Sequence, residues 1–249
     1  MGIRAAAAVC VAGALGACAS WPPSAQAPVS APTSVASIGR QCIPHWQPQR
    51  LPGKRATQYE LTSDGGAERL RARADRSASL LRHTLRVEPT ALGTVSFAWR
   101  VPALIAGADV RDRDVEDAPV RLLLSFEGDE SRLSARNRMV FDLVQAVAGE
   151  RPPYATLMYV WDSQAPEGSV VISERTDRVR KIVLESGPRR LDEWRSYERD
   201  IAADFERAFG ERPGALTGVA LMTDADNTGG QAIAWYGAVC LGSPPLAAR

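Results

Sequence analysis

The chain has 249 residues, 30 basic against 29 acidic side chains, a formal net charge of +1 and 45% hydrophobic residues. A near-neutral chain without a basic run gives no footing for a nucleic-acid partner, and its two histidines, His45 and His83, leave no His-rich zinc site. Neither a G-x-S-x-G, a P-loop nor a G-x-G-x-x-G occurs, so the serine-hydrolase, nucleotide and dinucleotide classes lose their support.

At the N-terminus Arg4 precedes an apolar run from Ala5 to Leu15 that closes on Leu15-Gly16-Ala17-Cys18. The run is too short to span a bilayer, and its small-residue exit suits an export signal. The tetrapeptide resembles a bacterial lipobox, which makes residues 1–17 a signal peptide and Cys18 the lipidated first residue of an envelope protein. Soluble secretion after Ala19 or Ala27 is the alternative. Ala19 after the cysteine points to the outer membrane, with the protein facing the periplasm. Residues 18–40, rich in Pro, Ser and Ala, read as a flexible tether, and residues 41–249 as one domain. Within it Cys42 and Cys240 either close a long disulfide loop, as an oxidising envelope permits, or stay as two buried thiols.

From Thr57 onward, period-2 alternation predicts strands. They fall at Thr57–Leu61, Arg69–Ala74, Ala78–Val87, Thr94–Val101, Val120–Phe126, Ala155–Asp162, Arg178–Glu185, Leu216–Thr223 and Gln231–Leu241. Turn signals such as Asp64-Gly65-Gly66 and Thr228-Gly229-Gly230 separate many of them. Helical spacing interrupts twice. Leu133–Ala148 carries Met139, Val140, Leu143, Val144 and Val147. Asp200–Phe209 carries Ile201, Phe205 and Phe209, and Gly210 follows as a C-terminal stop. Nine strands and two inserted helices predict a mainly β fold, an antiparallel β-sandwich of jelly-roll type.

Polar clusters supply the candidate site. Asp224, Asp226 and Asn227 lie between the last two strands. They serve a turn, a calcium ion held by Asp224 and Asp226, or a ligand. Asp117 belongs to an acidic group, with Asp112, Asp114 and Glu116, that precedes the strand bearing Arg121. Asp117 with Asp224 or Asp226 is the carboxylate pair a glycoside hydrolase would need. Trp99 and Trp235 alternate in phase with aliphatics and read as core, with Tyr236 opposite. Tyr159 and Trp161 share one face and, if exposed, would stack on a sugar ring. Arg199 either pairs with Asp200 or lines the site.

Several motifs recur in the order seen in a bacterial family. They are Leu51-Pro52-Gly53-Lys54, Phe97-Ala98-Trp99-Arg100-Val101, Asp117-Ala118-Pro119-Val120-Arg121, Leu157-Met158-Tyr159-Val160-Trp161, Glu185-Ser186-Gly187, Arg199-Asp200 and Thr223-Asp224-Ala225-Asp226-Asn227-Thr228. The chain resembles the family known as domain of unknown function 3047 over nearly all of residues 46–242. That resemblance implies no activity; its strand pattern is similar to galactose-binding-like jelly rolls, many of them carbohydrate-binding modules. The expectation is a lipid-anchored, non-catalytic sandwich that binds a glycan or another small polar ligand through Asp117, Arg121, Tyr159, Trp161, Arg199, Asp224, Asp226 and Asn227. The alternatives are a polysaccharide hydrolase or lyase, and a protein-interaction scaffold.

Overall fold

The computed structural model describes residues 29–30 and 40–243; the signal peptide, Cys18 and most of the expected tether lie outside the described residues. Two curved sheets face each other. The larger runs β1 (Val29–Ser30), β3 (His45–Arg50), β6 (Ala78–Val87), β13 (Leu216–Asp224), β8 (Arg121–Phe126), β9 (Ala155–Asp162), β11 (Val179–Ser186) and β10 (Val170–Ile172). The smaller runs β2 (Arg40–Cys42), β15 (Cys240–Gly242), β7 (Thr94–Arg100), β14 (Gln231–Tyr236), β5 (Ala67–Asp75) and β4 (Gln58–Asp64), with β12 (Arg195–Asp200) also paired to β7. The fold is the expected mainly β sandwich, with two α-helices among the described residues, α1 (Ala135–Ala148) and α2 (Ile201–Phe209). Pairing is antiparallel apart from β9 and β11, which run parallel because the chain returns through β10 at the sheet edge.

Alternation explains the core. Leu122, Leu124 and Phe126 of β8 meet Val95, Phe97 and Trp99 of β7 in one continuous apolar layer, closed by Phe205 and Phe209 of α2. Asp200 caps α2 by accepting from the Ala203 amide, and Gly210 ends it in the left-handed region at φ 69°, where a side chain would be strained. Cys42 sits opposite Cys240 across β2 and β15, and the two form a disulfide. Closing a 198-residue separation is worth about 5 kcal/mol by chain-entropy reasoning.

Three expectations need correction. Gln231–Leu241 is two strands, because the chain leaves the ladder at Gly237, whose amide donates to Ala98 O. Arg195–Asp200, absent from the nine predicted strands, is strand β12 and leads directly into α2. Trp235 is on the outside of the smaller sheet, whereas Tyr236 is in the core. Trp235 is held outside by stacking: Arg69, Trp194, Arg100, Trp235 and Arg71 interleave, with each guanidinium 4.4 to 5.9 Å from a ring.

Helix α1 covers the outer face of the larger sheet only in part. Ser134 caps it, accepting from Asn137 N, and Asn137 and Phe141 are buried. Its remaining apolar positions do not become core: Met139, Leu143 and Val147 are 66, 62 and 62% exposed.

Candidate functional site

The outer face of the larger sheet carries charges where its strands alternate away from the core. Arg121 opens β8 and Lys181 lies in β11, both almost fully buried. They line a cleft of about 330 Å³ beneath α1, together with Glu116, Arg175, Asp224 and the apolar side chains of Met158 and Met222. The loop before β8 folds over the end of the sheet, with Val110 and Ala118 packed on Val160 and Val183. This packing brings Glu116 and Asp117 to the charged strands.

The charges are coupled in a chain. Arg121 donates from Nε to Asp224 Oδ1 at 2.7 Å and from Nη2 to Asp224 Oδ2 at 2.9 Å, and also to the Glu116 carbonyl. Lys181 Nζ donates to Glu116 Oε2 and to Val110 O, both at 2.7 Å. Arg175 Nε donates to Glu116 Oε1 at 3.0 Å. Burial pushes the Asp224 carboxyl up to about 6, against the pull of Arg121. Burial would also raise Glu116, but Lys181, Arg121 and Arg175 outweigh it and hold that carboxyl below its ordinary value. The Lys181 ammonium is pushed down by burial and by the Arg121 charge, with Glu116 opposing.

Of the eight predicted contacts, Arg121 and Asp224 line this cleft, and Asp117, Asp226 and Asn227 gather beside Asp224 at the turn after β13. Their roles differ. Asp117 is buried and its oxygens are taken up by the turn after β13: Asn227 N at 3.1 Å, Thr228 N at 2.7 Å and Thr228 Oγ1 at 2.7 Å. Asn227 donates to Arg113 O at 3.0 Å, and Lys54 donates to Asp226. Asp117, Asp224 and Asp226 each bring an oxygen within 4.8 Å of the others. The set does not fit calcium, because Arg121 and Lys54 already neutralise Asp224 and Asp226, and Asp117 is filled by N–H and O–H donors. Nor does it suit the predicted acid–base pair, since both oxygens of Asp117 already accept from the turn after β13.

The other three lie elsewhere. Tyr159 and Trp161 are 0% exposed and belong to the core, so neither can stack on a ligand. Both faces of β9 are covered, so alternation there does not separate inside from outside. Tyr159 donates to Asp204 Oδ2 at 2.9 Å, and Trp161 Nε1 donates to Gly187 O at 3.1 Å. Arg199 pairs with Asp204, at 2.6 and 2.8 Å, rather than with Asp200, which caps α2. Sequence reasoning missed Lys181 as a site residue. The available signal was a lysine, one of only two in the chain, directly before the apolar run Ile182-Val183-Leu184.

Fold and cleft together define a class: a disulfide-closed β-sandwich with a charged cleft on one sheet. Residues 44–240 match the family described as protein of unknown function (DUF3047), and the chain belongs to that family. No curated protein matches it. One similar solved structure is the xyloglucanase domain of NopAA, a type three effector from Sinorhizobium fredii, in complex with cellobiose. It is 11% identical, with a TM-score of 0.44, and the match covers 84% of this chain and 96% of that one. Similarity at that level carries no inference about what this chain binds.

Proposed function

We propose that this is an exported envelope lipoprotein, anchored through Cys18 in the outer membrane. Residues 18–40 tether it and the domain within 41–249 holds a small polar ligand, a glycan fragment with an acidic group, without turning it over. One observation carries the binding reading: six ionisable side chains, among them Arg121, Lys181, Glu116 and Asp224, line an open cleft on the outside of a sheet. Burying such charges is costly, and apolar residues of similar volume would serve stability as well or better. Perturbed charges in a cleft are what a polar site requires. The hydrogen bonds leave Arg121 Nη1 and one Lys181 proton without an acceptor among the described residues; both can donate to a carboxylate or hydroxyl. The Cys42–Cys240 disulfide supports export to an oxidising compartment.

A thermal-shift screen of neutral and acidic oligosaccharides tests the binding reading. A ligand at a hundred times its dissociation constant adds about 2.7 kcal/mol. The acidic set should stabilise the protein and Lys181→Met should abolish the shift; no shift from either set, or an equal shift in the variant, would overturn the reading. Fractionation tests the anchor: Cys18→Ser should move the protein from membrane to soluble periplasm, and unchanged membrane association would refute lipidation.

A hydrolytic reading has one observation in its favour. Asp224 and Glu116 line the same cleft with their carboxyls displaced in opposite directions, as an acid and a base would be. Against it, Arg121 grips both oxygens of Asp224. New reducing ends from an acidic polysaccharide, lost in Asp224→Asn, would establish hydrolysis.

A further inference from the structure

Beside the charged cleft a second recess runs between the C-terminal half of α1 and the outer surfaces of β3, β6, β13 and β8. It holds about 540 Å³, the size of an ordinary small-molecule pocket. Leu143, Val144 and Val147 of α1 form one wall, and Leu80, Leu123 and Ala220 form the floor. The charged residues lining it are Arg50, Arg82 and Arg151, with Glu150 as the one carboxylate. Arg82 reaches Glu150 at 2.7 Å, whereas Arg50 is exposed and has no carboxylate partner among the described residues.

We infer that this groove binds a single-chain amphiphile with an anionic head, a fatty acid anion: the alkyl chain lies between α1 and the sheet, and the head is met by Arg50 and Arg82. The shape and the charge both argue for it. Apolar side chains on two facing elements leave a slot, and a helix that buries only Asn137 and Phe141 leaves Leu143 and Val147 in water unless something covers them. A slot suits a chain better than it suits the broad contact a stable dimer needs. The cationic rim complements a carboxylate, which arginine binds in bidentate fashion. The inference does not depend on the charged cleft, since none of Arg121, Lys181, Glu116 or Asp224 lines this recess.

The test is titration calorimetry of the protein with octanoate, decanoate and dodecanoate below their micelle concentrations, and with dodecanol. Burying each further methylene should tighten binding about fourfold. Leu143→Asp and Val147→Asp change exposed positions, so the fold should survive, as circular dichroism will verify; each should weaken dodecanoate at least tenfold. Arg50→Glu should weaken dodecanoate and leave dodecanol unaffected. Binding without chain-length dependence, or equal binding in Leu143→Asp, would overturn the inference. So would absence of binding together with a dimer, seen in sedimentation, that Leu143→Asp dissociates.

Discussion

On the smaller sheet, Arg69, Arg71 and Arg100 stand over the rings of Trp194 and Trp235, and Asp64 anchors the stack by accepting from Trp194 Nε1 at 2.9 Å. On the larger sheet, Arg121 and Lys181 rise from the strands into a cleft, paired with carboxylates and roofed only in part by α1. Both surfaces use cations on outward positions of β-strands. In the first, each guanidinium stands within 5.9 Å of a ring centroid and the Nε atoms of all three arginines are buried. In the second, the charges are buried and yet border open volume. The difference lies in what stands beside each cation. In the ladder a ring packs against it in addition to carboxylates such as Glu60 beside Arg71 and Asp64 beside Arg100, whereas in the cleft carboxylates neutralise it with no ring over it among the described residues. Hence the ladder reads as structure and the cleft as a place for a ligand.

The largest expected effect breaks the charged surface. Asp224→Ala leaves Arg121 buried without its carboxylate and should cost about 3 to 5 kcal/mol in denaturant unfolding. Replacing both, Arg121→Met with Asp224→Leu, should recover most of that stability; if the single variant costs under about 1 kcal/mol, the pair is not the buried couple described. On the other sheet, Trp235→Ala removes two arginine stacks from a half-buried position and should cost about 2 kcal/mol. It should leave any ligand response of the cleft untouched, and a lost response would show that the two surfaces are linked.

Asp224 also sets a pH signature. Its folded carboxyl titrates at about 6, above the ordinary value near 3.9, so the folded state holds the proton more tightly. Its contribution to stability is therefore full below about pH 4 and is lost as pH rises through about 6. Glu116 and Glu185, held below their ordinary values, slope the other way. The measurement is thus the difference in stability between wild type and Asp224→Asn, which should fall between pH 4 and 6; a rise would contradict the assignment. The smallest effect is at the roof: Ser134→Ala removes the α1 cap and should cost about 1 kcal/mol. Faster hydrogen exchange should be confined to residues 135–148, with the ladder unchanged.

Much of the architecture is legible in the sequence because alternation marks half-buried strands: Ala78–Val87 and Ala155–Asp162 have the predicted bounds. The α2 terminators, Asp200 and Gly210, lie at its two caps, and the cysteine pair is joined. Less legible are strands without alternation or of minimal length, such as His45–Arg50 with Pro48 inside it and Val170–Ile172 at the edge. Periodicity fails where both faces of a strand are covered, which is why Tyr159 and Trp161 read as candidate contacts. It fails again on α1, whose helical spacing is real but has no partner on one side. The convergence of Asp117, Arg121 and Asp224 is anticipated by type alone. That Asp117 serves the turn, and that Lys181 completes the cleft, depends on the pairing of β8, β9 and β11, which one strand's pattern cannot reveal.

The most direct test of the cleft is a methyl and indole NMR titration with the acidic oligosaccharides. Met158 and Met222 report on the cleft, Met139 on exposed α1, and Trp194 and Trp235 on the ladder. The account predicts saturable shifts at Met158 and Met222 with Trp194 and Trp235 silent. Shifts at the two indoles, with both cleft methyls unmoved, would place the ligand on the other sheet and contradict it.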